Sequence, residues 1–399
     1  GSVAAAAFTN ETDRQALLAF KDLIQEDPLA VLSSWNDSLH FCEWKGVTCG
    51  RQHQRVTALD LASQNLVDLG LTLPNLKYLY LGGNKFSGSF PPSMANASGL
   101  LLLDMSWNDF TGPTPTNLGN LRDLELLHLG GNRFRWNKLD DLSFVGSLTN
   151  CTNIRKLILS KNQFGGVLPG SIANLSSKPE TLWLGWNKIS GSIPQEIGNL
   201  NNLYLLSVNN NMISGSIPES IGKLSKLQKL RIGENNIFGK IPPSIGNITG
   251  LSFLTASNML EGSISAELGN YTNLQELYLE SNCLTGVLPE QVIGISSFTI
   301  ALYLDLNEFT GPLPSQVGNL KNLGALSISG NKLTGEIPSA LGSCQVLEYL
   351  DLHGNFFEGG IPSSLDQLKG IQQLDMSQNN LSGQIPEFLG KLPLMCLNL

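Results

Sequence analysis

Residues 203–226 read LYLLSVNNNMISGSIPESIGKLSK, and close variants of this stretch follow one another from Arg55 to the end of the sequence. The shared pattern is L-x-x-L-x-L-x-x-N-x-L-x-G-x-I-P-x-x-I-G-x-L-x-x. Self-similarity at a fixed step of 20–50 residues indicates a solenoid of stacked repeats. The 399 residues, a length that would otherwise suggest two or three globular domains, therefore predict one repetitive array.

The asparagine of the pattern marks the repeat step most clearly. Most steps are 24 residues, Gln64 takes the same place in an imperfect first copy, and Leu397-Asn398-Leu399 begins a further one. We expect about 14 repeats, plus this incomplete one, over residues 55–399. The asparagines are Asn84, Asn108, Asn132, Asn162, Asn187, Asn211, Asn235, Asn258, Asn282, Asn307, Asn331, Asn355 and Asn379.

Each part of the repeat has a physical role. The L-x-L segment predicts a short strand whose leucines point inward and whose x positions face solvent, and successive strands stack into a parallel sheet. We expect the asparagine to be buried and to bond backbone groups of its own and the neighbouring repeat. In G-x-I-P, glycine allows unusual dihedrals and proline fixes φ, which turns the chain back. The sequence therefore predicts an α/β solenoid.

Residues 10–54 predict an N-terminal cap, because each repeat buries its apolar face only against a neighbour. Apolar residues at helical spacing indicate a helix over 13–24 with Thr12 or Asp13 as its N-cap, and Pro28 follows it. Trp35 and Trp44 supply the apolar area that covers the first repeat. Residues 1–9 are interpreted as a cloning remnant without regular structure. No matching C-terminal cap follows, so we expect the natural chain to continue.

Cysteine usage and glycosylation motifs indicate the secretory pathway. Cys42 and Cys49 have six residues between them, and we expect a disulfide in an oxidising compartment. The alternative, a metal-binding pair, has no second ligand pair nearby. Asn-x-Ser/Thr motifs predict N-glycans. They begin at Asn10, Asn36, Asn96, Asn150, Asn174, Asn247, Asn270 and Asn380.

Composition argues against several function classes. The net charge is −8 and no Lys/Arg cluster stands out, so nucleic acid and anionic membrane surfaces are not expected partners. No apolar run reaches 18 residues, so no membrane span is expected. The four histidines lie near no motif serine or cysteine, and no G-x-S-x-G, H-E-x-x-H or phosphate-binding loop occurs. We expect no enzyme activity, no metal and no cofactor.

The repeat together with Trp35 and the segment CEWKGVTC at residues 42–49 resembles the ectodomains of plant leucine-rich-repeat receptor kinases. The resemblance covers residues 10–399. LTNCTN at 148–153 and GSIANLS at 170–176 are similar to the group that contains the elongation factor Tu receptor and rice bacterial-resistance receptors. The resemblance implies a right-handed superhelix with a concave parallel sheet. It also implies a cell-surface protein whose transmembrane helix and cytoplasmic Ser/Thr kinase lie beyond Leu399.

The first repeats depart from the family pattern. Only 20 residues separate Gln64 from Asn84, and the segment lacks G-x-I-P. Either the gene or the cloned segment has lost repeats here, so binding positions cannot be carried over from relatives by repeat number.

Solvent-facing positions of the predicted strands give the candidate ligand site. Tyr, Trp and Arg are the residue types that binding hot spots use, and here they gather on one exposed face. The alternative is that exposed rings stack on one another and only stabilise neighbouring strands. The same face also carries Asp104, Lys161, Phe253 and Tyr349. The candidates are Tyr78, Tyr80, Trp107, His128, Lys156, Trp183, Trp186, Lys229, Arg231, Glu276, Tyr278, Glu280, Tyr303 and Asp305.

The resemblance implies perception of a peptide or protein elicitor on the concave face, in plant immune signalling, with a short leucine-rich-repeat co-receptor kinase as a further partner. An alternative function is a secreted or membrane-anchored protein without a kinase, such as an inhibitor of microbial cell-wall enzymes. Inhibitors of that kind have about ten repeats and a closing cap, and short co-receptors have about five. The predicted repeat number therefore favours the receptor.

Overall fold

The computed structural model describes residues 10–24, 27, 29–51, 54–62, 75–135 and 142–399. The expected cloning remnant at 1–9, Pro28, and most of the shortened repeat, residues 63–74, lie outside this part of the chain. The chain divides into two compact units, Gly1–Ser190 and Gly191–Leu399.

The N-terminal helix begins earlier than the sequence predicts. It spans Asn10–Leu23, so Thr12 and Asp13 lie inside it and neither is the N-cap. Asp13 is instead buried, and its carboxylate accepts hydrogen bonds from the Arg55 guanidinium (2.6 and 2.8 Å) and the Val56 N–H (2.9 Å). A buried carboxylate needs such partners. Asp13 therefore ties the helix to the start of the strand Val56–Asp60.

Trp35 and Trp44 form the core of the cap. Both are buried, and their rings stack at a centroid distance of 5.4 Å. The Cys42–Cys49 disulfide is present, with Cα atoms 5.5 Å apart, and it closes the loop that carries Trp44.

In the first unit, one strand per repeat builds a parallel sheet, except that its first two strands pair antiparallel. These strands are Val47–Cys49, Val56–Asp60, Tyr78–Tyr80, Leu102–Asp104, Leu126–His128, Lys156–Ile158 and Thr181–Trp183. A smaller sheet contains Ser87–Ser89, Asp109–Gly112 and Arg133–Phe134. The remaining helices are Phe144–Leu148 and the 3-10 turns Val31–Ser34, Phe41–Glu43, Pro92–Asn96, Leu118–Asn120 and Gly170–Asn174.

The second unit repeats the same plan. Its main strands are Leu205–Ser207, Lys229–Arg231, Phe253–Thr255, Glu276–Tyr278, Ala301–Tyr303, Ala325–Ser327, Tyr349–Asp351, Gln373–Asp375 and Cys396–Asn398. The smaller strands are Ser214–Gly215, Asn236–Lys240, Met259–Gly262, Cys283–Val287, Glu308–Pro312, Lys332–Glu336, Phe356–Gly359 and Asn380–Leu381. The helical turns are Ile197–Asn199, Glu219–Lys223, Pro243–Asn247, Ala266–Asn270, Glu290–Ile293, Ser315–Asn319, Ser339–Ser343, Ser363–Gln367 and Glu387–Lys391.

The asparagine ladder is confirmed. The Asn307 side-chain N–H₂ donates to the carbonyl oxygens of Leu279 (2.9 Å), Leu304 (3.1 Å) and Asp305 (3.1 Å), and its oxygen accepts from the Leu284 N–H (3.0 Å). One side chain thus satisfies buried backbone groups of two consecutive repeats, which would otherwise lack partners. The ladder fixes the register in which each strand presents its outer side chains.

Candidate functional site

We define the sheet face as four positions per repeat: the two residues flanking the middle residue of each main strand, and the two residues before the ladder asparagine. In the strand Lys229–Arg231 these are Lys229, Arg231, Gly233 and Glu234. All fourteen candidates from the sequence occupy such positions, and each is exposed or half-buried. The sequence pattern therefore predicted the solvent-facing side correctly, while their role in binding stays a prediction.

Trp107 is the most prominent side chain on the sheet face of the first unit. Its side chain is 56% exposed, and its ring lies over Gly131, where an added Cβ would come within 2.7 Å of the ring. The Lys161 ammonium lies 5.0 Å from the centroid of the same ring. Since a cation over an indole face is attracted by the ring quadrupole, Lys161 holds Trp107 flat across Gly131.

Trp107 and Trp186 both have a left-handed backbone, with φ of 52° and 61°. Such angles are costly for a bulky residue, on the order of 1–2 kcal/mol. Glycine occupies the equivalent position at Gly131 and Gly354 without that cost. Trp186 is nevertheless 54% exposed, so burial does not account for a tryptophan there. The same left-handed backbone recurs before the ladder asparagine at Lys161, Glu234 and Leu306, so it belongs to the repeat and does not by itself indicate a binding surface.

Asp104 and His128 form a pair on neighbouring strands of the first unit, with Nδ1 and Oδ1 3.4 Å apart. Burial disfavours the charged form of Asp104, but hydrogen bonds from His128 and from the Ser106 hydroxyl and N–H outweigh it and lower the pKa of the carboxyl. The negative charge at this point of the sheet face is therefore stabilised from within the protein.

The remaining candidates of the first unit surround this pair. Tyr80 lies opposite Asp104 in the strand register, and Tyr78 is exposed on the same strand. Lys156 is exposed and Trp183 half-buried on the next two strands. No ring contact joins these side chains to Trp107 in the described part of this unit, so the stacking alternative does not explain Trp107.

The second unit carries a continuous file of rings, which we call the aromatic file: Phe253, Tyr278, Tyr303 and Tyr349. Successive centroids are 5.7, 5.3 and 6.3 Å apart. The Arg231 guanidinium lies 4.7 Å from the Phe253 centroid and covers this end of the file. Here the stacking alternative holds in part, because the rings do contact one another, yet each remains half-exposed to solvent.

Carboxylates accompany the aromatic file. Glu276 accepts a hydrogen bond from the Tyr278 hydroxyl (2.9 Å), and Asp351 accepts one from the Tyr349 hydroxyl (3.2 Å). Glu280 accepts one from the Ser257 hydroxyl (2.7 Å) through one oxygen. The second oxygen of Glu280 is enclosed and has no hydrogen-bond partner within the described residues.

The environments of Glu280 and Asp305 oppose the ionisation of their carboxyl groups. Burial raises the pKa of Glu280, and repulsion from Asp305 and Glu234 adds to this effect. Burial also raises the pKa of Asp305, with a further contribution from Asp351. No Lys or Arg nitrogen of the described chain lies within 4 Å of these carboxylates. Their negative charge is therefore uncompensated.

Four residues that contact a candidate were not among the fourteen candidates, although the sequence places them on the same face. Asp104, Lys161, Phe253 and Tyr349 each touch a candidate. Their partners lie on adjacent repeats or two repeats away. Comparing equivalent positions of neighbouring repeats, rather than single residues, would have found them.

The glycosylation motifs lie away from buried regions. Asn36, Asn96, Asn150, Asn174, Asn247, Asn270 and Asn380 are exposed, while the Asn10 side chain lies outside what the structure describes. Four of them end a 3-10 turn, and so share one position of the repeat: Asn96, Asn174, Asn247 and Asn270.

Two further surveys concern metals and membranes. Within the described ranges, no group of His, Cys, Asp or Glu side chains has the arrangement of a metal site. No helix among the same residues has the length and apolar character needed to cross a bilayer.

Family models match much of the chain. A leucine-rich repeat N-terminal domain matches residues 10–50, a leucine-rich repeat region matches 180–293, and a leucine-rich repeat matches 321–381. Single leucine-rich repeats match 75–97, 99–121 and 153–175.

Plant receptor kinases are similar to parts of the chain. A probable LRR receptor-like serine/threonine-protein kinase of Arabidopsis thaliana is 45% identical over 98 residues, 25% of this chain and 8% of that protein. The Arabidopsis kinase EFR is 43% identical over 104 residues, 26% of this chain and 8% of EFR. Rice Xa21 is 48% identical over 69 residues, 17% of this chain and 7% of Xa21. The matched stretches are thus a small part of each relative.

Solved structures support the same class. A TDR receptor has a TM-score of 0.78 and 32% identity, with 86% of this chain and 63% of that chain covered. The ectodomain of the Arabidopsis receptor kinase HAESA, in complex with an IDA peptide hormone ligand, has a TM-score of 0.52 and 27% identity over 98% and 85% of the two chains. The fold and cap define a leucine-rich-repeat ectodomain. The repeats and the cap are those of leucine-rich-repeat proteins, and the chain is similar to the ectodomains of plant leucine-rich-repeat receptor kinases, EFR and Xa21 among the matched relatives.

Proposed function

We infer that this chain is the extracellular ligand-binding region of a receptor kinase, and that an extended peptide or a protein elicitor binds on the sheet face. The observation that carries the proposal is the exposure of Trp107 and Trp186 together with the half-exposed aromatic file. Rings that remain accessible on an ordered sheet are suited to anchoring a ligand, because they lose little conformational entropy on binding. The HAESA ectodomain, of similar fold, holds a peptide ligand.

We further propose that the receptor acts in plant immune signalling. Its support is the resemblance to the group of EFR and Xa21, together with exposed N-glycosylation motifs that suit an extracellular location. A short leucine-rich-repeat co-receptor kinase is a proposed further partner, as the resemblance to plant receptor kinases implies.

The binding proposal is tested with peptides selected on the protein from a random twelve-residue display library. Calorimetry then compares wild type with two double variants. Trp183→Ala/Tyr303→Ala removes one ring from the face of each unit, whereas Phe238→Ala/Phe356→Ala removes two exposed rings from the smaller strands.

We expect the face variant to lose at least about tenfold in affinity, since a buried aromatic anchor commonly contributes 2 kcal/mol or more. The control variant should stay within about twofold of wild type. Failure to select any peptide, or equal losses in both variants, would contradict the proposal.

The immune role is tested in plant cells that express residues 10–399 joined to the kinase portion of EFR. Culture filtrates of bacteria and fungi are applied and calcium influx is recorded. We expect influx with this chimera and none with the Trp183→Ala/Tyr303→Ala version. Influx that is equal in both would place perception elsewhere.

A further inference from the structure

The sheet face of the second unit has a marked charge pattern between the strands Glu276–Tyr278 and Gln373–Asp375. In this fully described segment the four face positions of each repeat include no Lys or Arg, and His353 is the one basic residue at these positions. The carboxylates at these positions are Glu276, Glu280, Asp305, Asp351 and Asp375.

The protein itself compensates little of this charge. His353 lies near Asp375, with Nδ1 and Oδ1 3.9 Å apart, and among the described residues the other four carboxylates have no cationic partner within 4 Å. Hydroxyl groups of Tyr278, Tyr349 and Ser257 bond three of them. Such bonds orient a carboxylate but leave its charge, and half-buried charges that face each other across adjacent strands destabilise the free protein.

The aromatic file shows how a cation is held on this face. Arg231 lies over the Phe253 ring at 4.7 Å, at the end of the file that carries no carboxylate at its strand positions. A guanidinium is attracted both by ring faces and by carboxylates. The rings of Tyr278 and Tyr303 offer a second guanidinium the same contact, with Glu280 and Asp305 on the same two repeats as counter-charges.

We propose that the face formed by Tyr278, Tyr303 and Tyr349 with Glu276, Glu280, Asp305 and Asp351 binds a basic segment of an extended peptide, whose Arg or Lys side chains lie against the rings between the carboxylates. The inference rests on the proposed function and deepens it by assigning the charge of the ligand. Four strands at about 4.8 Å spacing span about 14 Å, which is the reach of four or five extended residues. A motif with two or more basic residues within five positions matches this span.

The test uses the display library again, selected in parallel on wild type and on Glu280→Gln/Asp305→Asn. This substitution keeps the shape of both side chains and removes both charges. A control variant, Glu308→Gln/Asp366→Asn, has the same net charge and lacks two exposed carboxylates outside the face. We expect Arg and Lys to be enriched at least threefold among peptides selected on wild type and on the control, and not on Glu280→Gln/Asp305→Asn.

A selected basic peptide is then titrated by calorimetry beside an analogue in which citrulline replaces each arginine. We expect both the citrulline peptide and the Glu280→Gln/Asp305→Asn variant to lose at least tenfold in affinity. The two changes together should lose little more than either alone, because they remove the same interaction. The control variant should remain within about twofold.

The outcomes separate the two proposals. If no peptide is selected, or if the Trp183→Ala/Tyr303→Ala variant binds with wild-type affinity, the proposed function is wrong. If peptides bind this face without basic enrichment, or if citrulline has no effect, only the charge assignment fails. An equal loss in the Glu308→Gln/Asp366→Asn control would assign the effect to net charge and also overturn the inference.

Discussion

Asp104 in the first unit and Glu280 in the second occupy the sheet face of similar repeats, yet their electrostatic surroundings are opposite. Asp104 has His128 and Ser106 as partners, and the pKa of its carboxyl is lowered. Glu280 has Ser257 as a partner but faces Asp305 and Glu234, and its pKa is raised. The first arrangement stabilises the folded protein, whereas the second retains a charge that a ligand is suited to neutralise.

The interiors differ less than the faces. A stack of Phe86, Phe110, Phe134 and Phe164 with centroids about 6 Å apart runs through the first unit. The equivalent positions of the second unit hold mostly Ile and Leu, for example Ile213, Ile237 and Leu284. Both sets are buried, and in each unit they lie beside asparagines that bond the backbone in the same way. Differences in recognition are therefore expected to come from the faces.

The largest expected effect is that of removing a ladder asparagine from the interior of either unit. Asn108 and Asn307 each bond three carbonyl oxygens and one N–H of two repeats. Asn108→Ala and Asn307→Ala should each lower the free energy of unfolding by about 3 kcal/mol or more, because several buried backbone groups lose their partners. Chemical denaturation provides the measurement. The exposed Asn322→Ala should cost less than about 0.5 kcal/mol. A difference of 2 kcal/mol between the two ladder variants would show that the interiors are not equivalent.

The next prediction concerns Asp104 and Glu280, whose pKa values are shifted in opposite directions and therefore change the stability with pH in opposite ways. The pKa of Asp104 is lowered in the folded state, so its charge adds stability above the unfolded pKa of about 4, and this stability is lost as the pH falls through the folded pKa. The pKa of Glu280 is raised, so stability is lost as the pH rises from about 4.3 through the folded pKa.

At pH 7 we therefore expect Asp104→Asn to lower the melting temperature and Glu280→Gln to raise it. At pH 3 the difference between Glu280→Gln and wild type should shrink, because the wild-type carboxyl is then neutral. Melting curves at both pH values provide the comparison. If both substitutions shifted the melting temperature in the same direction at pH 7, the environments of Asp104 and Glu280 would not be opposite, and the assignment of a basic ligand would lose its support.

The smallest expected effect is that of Trp186→Gly. Relief of the left-handed backbone gains about 1–2 kcal/mol, and the flexibility of glycine in the unfolded chain costs about 0.5–1 kcal/mol. We expect a stability equal to or up to about 1.5 kcal/mol above that of wild type, measured by chemical denaturation. Leu306→Gly, exposed at the same repeat position with φ of 53°, is the matched control. A loss above 1 kcal/mol in Trp186→Gly alone would mean that this tryptophan is structural.

The repeat pattern was sufficient to predict the fold, because leucine, asparagine, glycine and proline recur wherever a strand, a buried bond or a turn is needed. It also predicted which side chains face solvent. A comparison of neighbouring repeats places Lys161 and the rings of the aromatic file near candidate residues, but the contacts themselves depend on side-chain conformations, which the repeat pattern does not contain. The helix start at Asn10 was misjudged because Asp13, a typical N-cap residue, instead bonds Arg55.

The central claim is that the sheet face is the recognition surface, and photo-crosslinking tests it most directly. A photoreactive phenylalanine analogue replaces Tyr303 on the face or, in a second protein, Phe238 on the smaller strands. Each protein is irradiated with a peptide selected from the library, and crosslinks are mapped by mass spectrometry. The account predicts crosslinking from position 303 and none from position 238. Crosslinking from 238 without crosslinking from 303 would contradict it.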